Sequence, residues 1–410
     1  MIKNKTVNII VEKEVCCGCG TCQPVCPVSC ITMQLDEDGQ YKPVIDMDIC
    51  TNCGLCFKVC PNNEFNYKNN IKKPQEVFSG YSTNEELRYN AASGGLTTQL
   101  LIDGLNRNDF DAVVVVTGDK PAEFKATIVT TTNEILNAKA SKYTQVSVNI
   151  VLKELEKNSY TKICYVGLPC HIRGLDKYLK VKKKLAEKIV MKFTLVCGQS
   201  LKHTVVDKQL KIIKVKKESL LRYSFRGEGW PGFQNVDSTL GNKKIAYTDK
   251  KAMGGLFASP LSGVDACLYC EDHYGSQADI SFCDAWHLKN KENNNNGITS
   301  ALCYSEKGVG LIEKYVGTEA DVFIKKDDFA NILSVQGHMK PTPSVAYLLN
   351  KKINNSRIDL KSELNISALS VIAAMVYTVS VRLLNLIGLN RLPLGLLSLS
   401  RGLKKILQIK

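Results

Sequence analysis

Cys16-x2-Cys19-x2-Cys22-x3-Cys26-Pro27 and Cys50-x2-Cys53-x2-Cys56-x3-Cys60-Pro61 are one string written twice, 34 residues apart. Three thiols at that spacing wrap three corners of an iron–sulfur cubane, and the fourth corner must be reached from elsewhere. The last Cys of each run therefore serves the other cluster. This assigns Cys16, Cys19, Cys22 and Cys60 to one [4Fe-4S] cluster, and Cys50, Cys53, Cys56 and Cys26 to its twin. The Pro after each fourth Cys ends the local helical turn. Structural zinc takes its four ligands as two pairs, not as three thiols plus a distant Cys-Pro. Cys17 and Cys30 fall outside the spacing and read as small core residues.

The spacing is that of a bacterial-type 2[4Fe-4S] ferredoxin fold, placed at residues 1–70. The whole chain has 410 residues, 44% hydrophobic and 23% charged, with a formal charge of +14. That excludes a disordered or fibrous chain and leaves room for two or three domains. Met1 to Glu12 lacks the apolar core of a signal peptide. The 17 cysteines then read as reduced, metal-binding thiols in a cytoplasmic protein rather than as a disulfide framework. Residues 1–75 hold eight basic and eight acidic residues, so the positive charge lies in the remainder, around Lys180–Lys192, Lys211–Lys217 and the C-terminal tail. The internal runs read as solvated faces, with a docking face for an acidic redox partner as the sharper alternative. With no recognised binding motif and no aromatic residues interleaved, no nucleic acid is expected.

Ile71 to Gln75 carries Pro74 and reads as a linker, taken over 71–78, with a new texture starting near Glu76. Ala91-Ala92-Ser93-Gly94-Gly95 is a small-residue turn ahead of a helix, where backbone amides can approach a phosphate, although tight packing explains it equally well. Asp111–Thr117, Lys162–Val166 and Ile189–Val196 read as strands buried on both faces. If the last two are parallel neighbours, Cys170 and Cys197 emerge together at the carboxyl edge of the sheet. Cys267-x2-Cys270 supplies one pair of thiols, which is too few for a cubane. Adding Cys170 and Cys197 completes a third [4Fe-4S] site, with Cys283 as the alternative ligand and an inert CxxC turn as the alternative reading. Cys164 and Cys303 lie inside strands and read as buried. Gly227-Glu228-Gly229-Trp230-Pro231-Gly232 has the letters of a dinucleotide loop, but Pro231 and a strand follow it, so it is read as a loop between strands. His171 lies inside the candidate site but reads as a hydrogen-bonded structural histidine.

With Ala91–Gly95, Ser141-Lys142-Tyr143-Thr144-Gln145, Gly167-Leu168-Pro169-Cys170-His171, Phe225-Arg226, Gly229-Trp230, Cys267-x2-Cys270 and Ala278-Asp279-Ile280, the chain resembles the coenzyme F420 hydrogenase/dehydrogenase beta-subunit family with a fused ferredoxin. The resemblance covers roughly the first 340 positions. It implies an α+β and α/β architecture in which a mixed α/β flavin-binding domain follows the ferredoxin, its N-terminal region at 79–160 and its C-terminal region at 161–340. It further implies FAD lined by Ser93, Gly94, Gly95 and Lys142, and a further cluster on Cys170, Cys197, Cys267 and Cys270. Cys283 departs from the glycine expected there. The implied activity is an iron–sulfur flavoprotein oxidoreductase joining two-electron chemistry at FAD to one-electron transfer, with F420, NAD(P)H or ferredoxin as soluble carrier. Similar bacterial chains accompany polysaccharide biosynthesis. The alternative is an electron-relay subunit whose chemistry belongs to a partner protein.

The tail, 341–410, is basic and apolar. From Leu364 onward it has no acidic residue and six basic ones. Ile366–Val381 is uncharged but too short to span a bilayer, so 364–410 reads either as a peripheral contact with the inner face of the membrane or as helices packed on the protein or on a partner.

Overall fold

The computed structural model describes residues 5–63, 72–249, 251–253, 262–270, 272–289, 296–317 and 321–336. The tail, with its expected membrane-surface contact, lies outside the described residues. Among the described residues no helix is long and apolar enough to cross a membrane.

The thirteen strands among the described residues are β1 (Ile31–Leu35), β2 (Tyr41–Ile45), β3 (Glu76–Ser82), β4 (Ala112–Thr117), β5 (Lys125–Val129), β6 (Ile163–Gly167), β7 (Ile189–Leu195), β8 (Leu220–Gly227), β9 (Phe233–Ser238), β10 (Gly241–Ala246), β11 (Ile280–Asp284), β12 (Thr299–Cys303) and β13 (Val322–Lys326). β1 and β2 form a hairpin between the two cysteine runs. β8, β9 and β10 make a small antiparallel sheet.

The main sheet has eight strands in the order β13-β3-β12-β11-β7-β6-β4-β5. Its centre, β11-β7-β6-β4, is parallel, and antiparallel strands extend both edges. The β-branched runs fill that centre: Val113, Val114, Ile163, Cys164 and Phe193 are fully buried, as strands covered on both faces must be. β6 and β7 pair in parallel, with Gly167 opposite Thr194. Cys170 and Cys197 therefore leave the same edge of the sheet, as the sequence predicts. Cys164 and Cys303 are buried within β6 and β12.

The cysteine-rich module is not a separate bead. Val25 and Val59 share one apolar cluster with Leu152, Ile172, Leu175, Tyr178 and Val205 of the α/β part. The helix Pro169–Val181 runs directly beneath it, turning a buried face of Ile172, Gly174, Leu175 and Tyr178 towards the molecule. β3 begins at Glu76, with Val77 and Phe78 already buried, and Gln75 N donates to Cys303 O at 2.8 Å. The main sheet takes strands from both sides of residue 160, so the N- and C-terminal regions of the α/β part form one layered body.

A candidate three-cluster thiol array

Turns with positive φ shape the first cysteine run. Gly18 at +63° and Gly20 at +84° occupy left-handed conformations that favour glycine. At both, a Cβ would collide with the segment Gln145–Ile150. That segment holds the loop by its backbone: Gln145 Nε2 donates to Cys17 O at 2.9 Å, Ser147 Oγ to Gly18 O at 2.8 Å and Asn149 N to Cys19 O at 2.9 Å. Asn149 Nδ2 also reaches Thr21 Oγ1 at 2.7 Å and His171 O at 2.9 Å. On the helix, a Cβ on Gly174 would meet Thr21 Oγ1, and Asn149 Nδ2 at 2.8 Å. Gly174→Val is accordingly expected to lift the cysteine loop and lower the melting midpoint by several degrees, as overpacking costs about 1–3 kcal/mol. Thermal melting of the two proteins checks this.

The thiols gather as the spacing requires. Burial pushes the Cys16 thiol up to about 12, while Cys22, buried and beside Cys19, Cys16 and Cys60, is also driven well above its ordinary value. These four thiols therefore face one another. Cys26, Cys50, Cys53 and Cys56 line one recess. Cys53 is exposed and Cys50 half-buried while Cys26 and Cys56 are buried, so one side of this second set reaches the surface; in the first set Cys19, Cys22 and Cys60 are buried and Cys16 is half-buried. Cys30 lines the same recess, its Sγ 3.4 Å from Cys26 Sγ.

Four more thiols meet at the carboxyl edge of the main sheet. Cys197 is raised by burial, then by Cys267 and Cys270, and burial carries Cys267 up to about 12, with Cys270 next to it. Cys170 stands against Cys17, with Cys19, Cys197 and Cys270 around it. Ser200 N donates to Cys267 Sγ at 3.4 Å, and His273 Nδ1 lies 2.9 Å from Cys197 O. Cys283, the alternative ligand, belongs elsewhere: it packs with Val77, Tyr274, Leu302 and Ile332. His171 is buried and its Nδ1 accepts from Leu168 N at 3.0 Å, while burial holds its imidazole down to about 4. That is the structural role expected of it.

Among the described residues, no three His, Cys, Asp or Glu side chains converge as tightly as a single metal ion requires. A cubane presents each thiolate to a different iron and needs the wider sets found here. Buried thiols driven upward stay protonated unless a metal takes the proton's place, so the donor sets suit cluster iron. Cys17, read from the sequence as a small core residue, instead lies between two sets: its thiol is held well above its ordinary value chiefly by Cys170, with Cys19 also acting on it. Its place beside Cys16 gave no spacing signal.

The residues implied for FAD already have partners within the fold. Ser93 Oγ donates to Ile298 O at 2.8 Å, and Gly94 N to Thr299 Oγ1 at 3.0 Å. A Cβ on Gly94 would sit 2.9 Å from Gly80 O. Packing thus accounts for this glycine and uses the amide that an anion would need. Lys142 Nζ donates to Ala138 O at 3.0 Å and Lys139 O at 3.2 Å, and burial with Lys139 nearby holds its ammonium down to about 8. In the loop between β8 and β9, Gly229 N donates to Tyr89 O at 2.8 Å. Arg226 makes paired bonds to Asp284 at 2.8 and 2.9 Å, and Trp230 Nε1 donates to Asp284 Oδ1 at 2.7 Å. Trp230 and Trp286 stack at 4.9 Å. The sequence singles out Arg226 and Trp230 as motif letters without revealing that Asp284 ties them together.

Two stretches of the chain match the family described as "Coenzyme F420 hydrogenase/dehydrogenase, beta subunit": residues 77–153 match its N-terminal part and residues 160–324 its C-terminal part. The chain belongs to the coenzyme F420 hydrogenase/dehydrogenase beta-subunit family. Residues 15–63 match a 4Fe-4S dicluster domain, fused here ahead of the beta-subunit body. A subunit of the F(420)H(2) dehydrogenase of Methanosarcina mazei is 26% identical over 294 residues, 66% of this chain and 76% of that one. An uncharacterized protein of Methanocaldococcus jannaschii is 30% identical over 211 residues, 49% of this chain and 71% of its own. A chain of the F420-reducing [NiFe] hydrogenase complex from Methanosarcina barkeri superposes with a TM-score of 0.53 at 18% identity, covering 73% of this chain and 99% of that chain. This last likeness shows a shared fold. The chain is an iron–sulfur, electron-transfer member of this oxidoreductase family.

Proposed function

We propose that the chain is an iron–sulfur flavoprotein oxidoreductase, with three [4Fe-4S] clusters and one FAD, that exchanges electrons with a soluble carrier such as F420, NAD(P)H or ferredoxin. The observation that carries this reading is the bridge through Asn149, whose Nδ2 donates to Thr21 Oγ1 at 2.7 Å and to His171 O at 2.9 Å and so ties the ferredoxin loop to the helix start that bears Cys170. Clusters held there supply one-electron transfer, and a flavin supplies the interchange between one and two electrons. The chain's own residues then have three tasks. Cys16, Cys19, Cys22 and Cys60, with Cys50, Cys53, Cys56 and Cys26, hold the outer clusters, and Cys170, Cys197, Cys267 and Cys270 hold the inner one. Gln145, Ser147 and Asn149 fix the spacing between these sets. Lys142 offers a cation to the anionic part of a dinucleotide, while in the Ser93–Gly95 turn the Gly94 amide is already taken by Thr299.

Iron, acid-labile sulfide and released flavin, counted in one anaerobic preparation, test the reading. About twelve irons and one FAD per chain support it, at four irons per cubane. About eight irons without flavin would leave a ferredoxin on a scaffold without chemistry of its own. Lys142→Met is expected to weaken FAD binding about tenfold, one charge-assisted contact, with iron content unchanged. Because its ammonium is held down to about 8, wild-type affinity should fall between pH 7 and 9 while the variant stays flat; equilibrium dialysis against FAD reads both.

A second reading is favoured by the similarity to a chain named as part of a dehydrogenase: an electron-relay subunit whose substrate chemistry belongs to a partner. Steady turnover by the isolated chain would exclude it.

A further inference from the structure

Arg173 lies on the helix Pro169–Val181, three residues beyond Cys170. Its Nε is sealed from solvent and has no hydrogen-bond partner, and its Nη2 donates to the neutral Asn62, reaching Oδ1 at 3.2 Å. Asn62 is itself held by Val15, its Nδ2 donating to Val15 O at 2.6 Å, so it does not turn away. No carboxylate among the described residues forms an ion pair with this guanidinium. Burial opposes its charge, and the groups near enough to favour the charge are, in order, Cys270, Asp272, Cys17 and Cys170. Three of these four are thiols, and two belong to the inner set.

An arginine cannot shed its proton to escape such a place. Asp272, the one carboxylate among those groups, forms no ion pair with it, and holding a half-buried charge without a paired counterion is costly, so negative charge nearby is favoured when the protein is complete. Thiolates bound to a cubane supply that negative charge, and the cluster gains one further negative charge on reduction. A fixed cation nearby favours the more negative state, so it raises the reduction potential. Lys177, one turn along the same helix, reaches the same segment as Arg173 but donates to Cys60 O at 3.0 Å and to Asn63, so its hydrogen bonds are met there.

We propose that Arg173 is a potential-setting cation for the cluster on Cys170, Cys197, Cys267 and Cys270, drawing electrons from the ferredoxin module towards the α/β body. The proposal rests on the assignment of that third cluster. It makes Arg173 a tuning residue rather than a ligand, because guanidinium does not bind iron here and all four thiols remain available.

The test is an EPR-monitored redox titration of the full chain, with iron and sulfide counted in the same samples. The third cluster's signal is identified as the one missing from Cys270→Ala. Arg173→Gln is expected to make reduction of that cluster about tenfold less favourable, a downward shift of about 59 mV for one electron. Arg173→Lys, which keeps the charge, should hold most of the wild-type value. Asn62→Asp, which places a carboxylate against the guanidinium, should shift the potential downward even if Arg173→Gln fails to fold. Twelve irons per chain with an unmoved potential in the neutralised variants would overturn the proposal while leaving the third cluster standing. About eight irons in the wild type would overturn the cluster assignment, and the proposal with it.

Discussion

Replacing Cys267 and Cys270 together by alanine is expected to lower the iron count from about twelve to about eight per chain, a loss of one cubane. The ferredoxin signals should survive. Two thiols are lost from a set of four, and among the described residues no spare pair stands in reserve: Cys283 packs with Val77 and Leu302, away from the others. Cys17 lies near enough to Cys170 to act on it but is a single thiol, and one thiol does not replace two. The outer sets are untouched because Cys16, Cys19, Cys22 and Cys60 face one another across the module, and Cys50, Cys53, Cys56 and Cys26 line their own recess. If iron, sulfide and EPR spin count all remain at wild-type values, the CxxC pair is not a cluster site. If all iron is lost, the three sets are not independent.

Arg226→Met is expected to destabilise the α/β body strongly. Arg226 is 2% exposed and binds Asp284 through two nitrogens, while its Nε donates to Pro231 O at 2.8 Å. Its guanidinium also lies 4.9 Å from the Tyr247 ring and 5.3 Å from Trp286. Removing it leaves the Asp284 carboxylate with the Trp230 indole alone. Breaking a buried pair in this one-sided way costs about 3–5 kcal/mol. In a domain of this size that lowers the melting midpoint by on the order of 10 °C. Removing both charges, as in Arg226→Met with Asp284→Leu, should cost less than Arg226→Met alone, because no charge is stranded. Differential scanning calorimetry of the three proteins settles the order; a double variant less stable than the single one would show that the pair contributes through packing and not through charge.

Much of this was legible in the sequence because the informative features are local. Four cysteines at fixed offsets, repeated once, specify two clusters without any knowledge of the fold. A run such as Val113–Val116 can only be a strand covered on both sides, and the exits of β6 and β7 bring Cys170 and Cys197 to one edge. The contacts that join the parts are different in kind. Cys17 comes near Cys170 across more than 150 positions of chain, and nothing about its neighbours in sequence marks it out. Gln145, Ser147 and Asn149 are ordinary polar letters until the loop they hold is placed beside them. Ser93 and Gly94 show the opposite case: small residues at a turn look like an anion cradle, yet Gly94 is required by the closeness of Gly80 and Ile298. Cys283 was open as a ligand until β11 turned it towards the apolar cluster.

The backbone clamps on residues 17–19, with Gly174 letting Thr21 settle on the helix, have a consequence for how fusion serves the chain. A carrier joined by a flexible tether must still find its docking site, and its effective concentration there is set by tether length, in the millimolar range for short ones. Here the search has already been completed by folding. The ferredoxin module cannot be diluted, competed away by another carrier or slowed by a viscous solvent on this side, and the surface where Cys53 lies open is left for exchange with the outside.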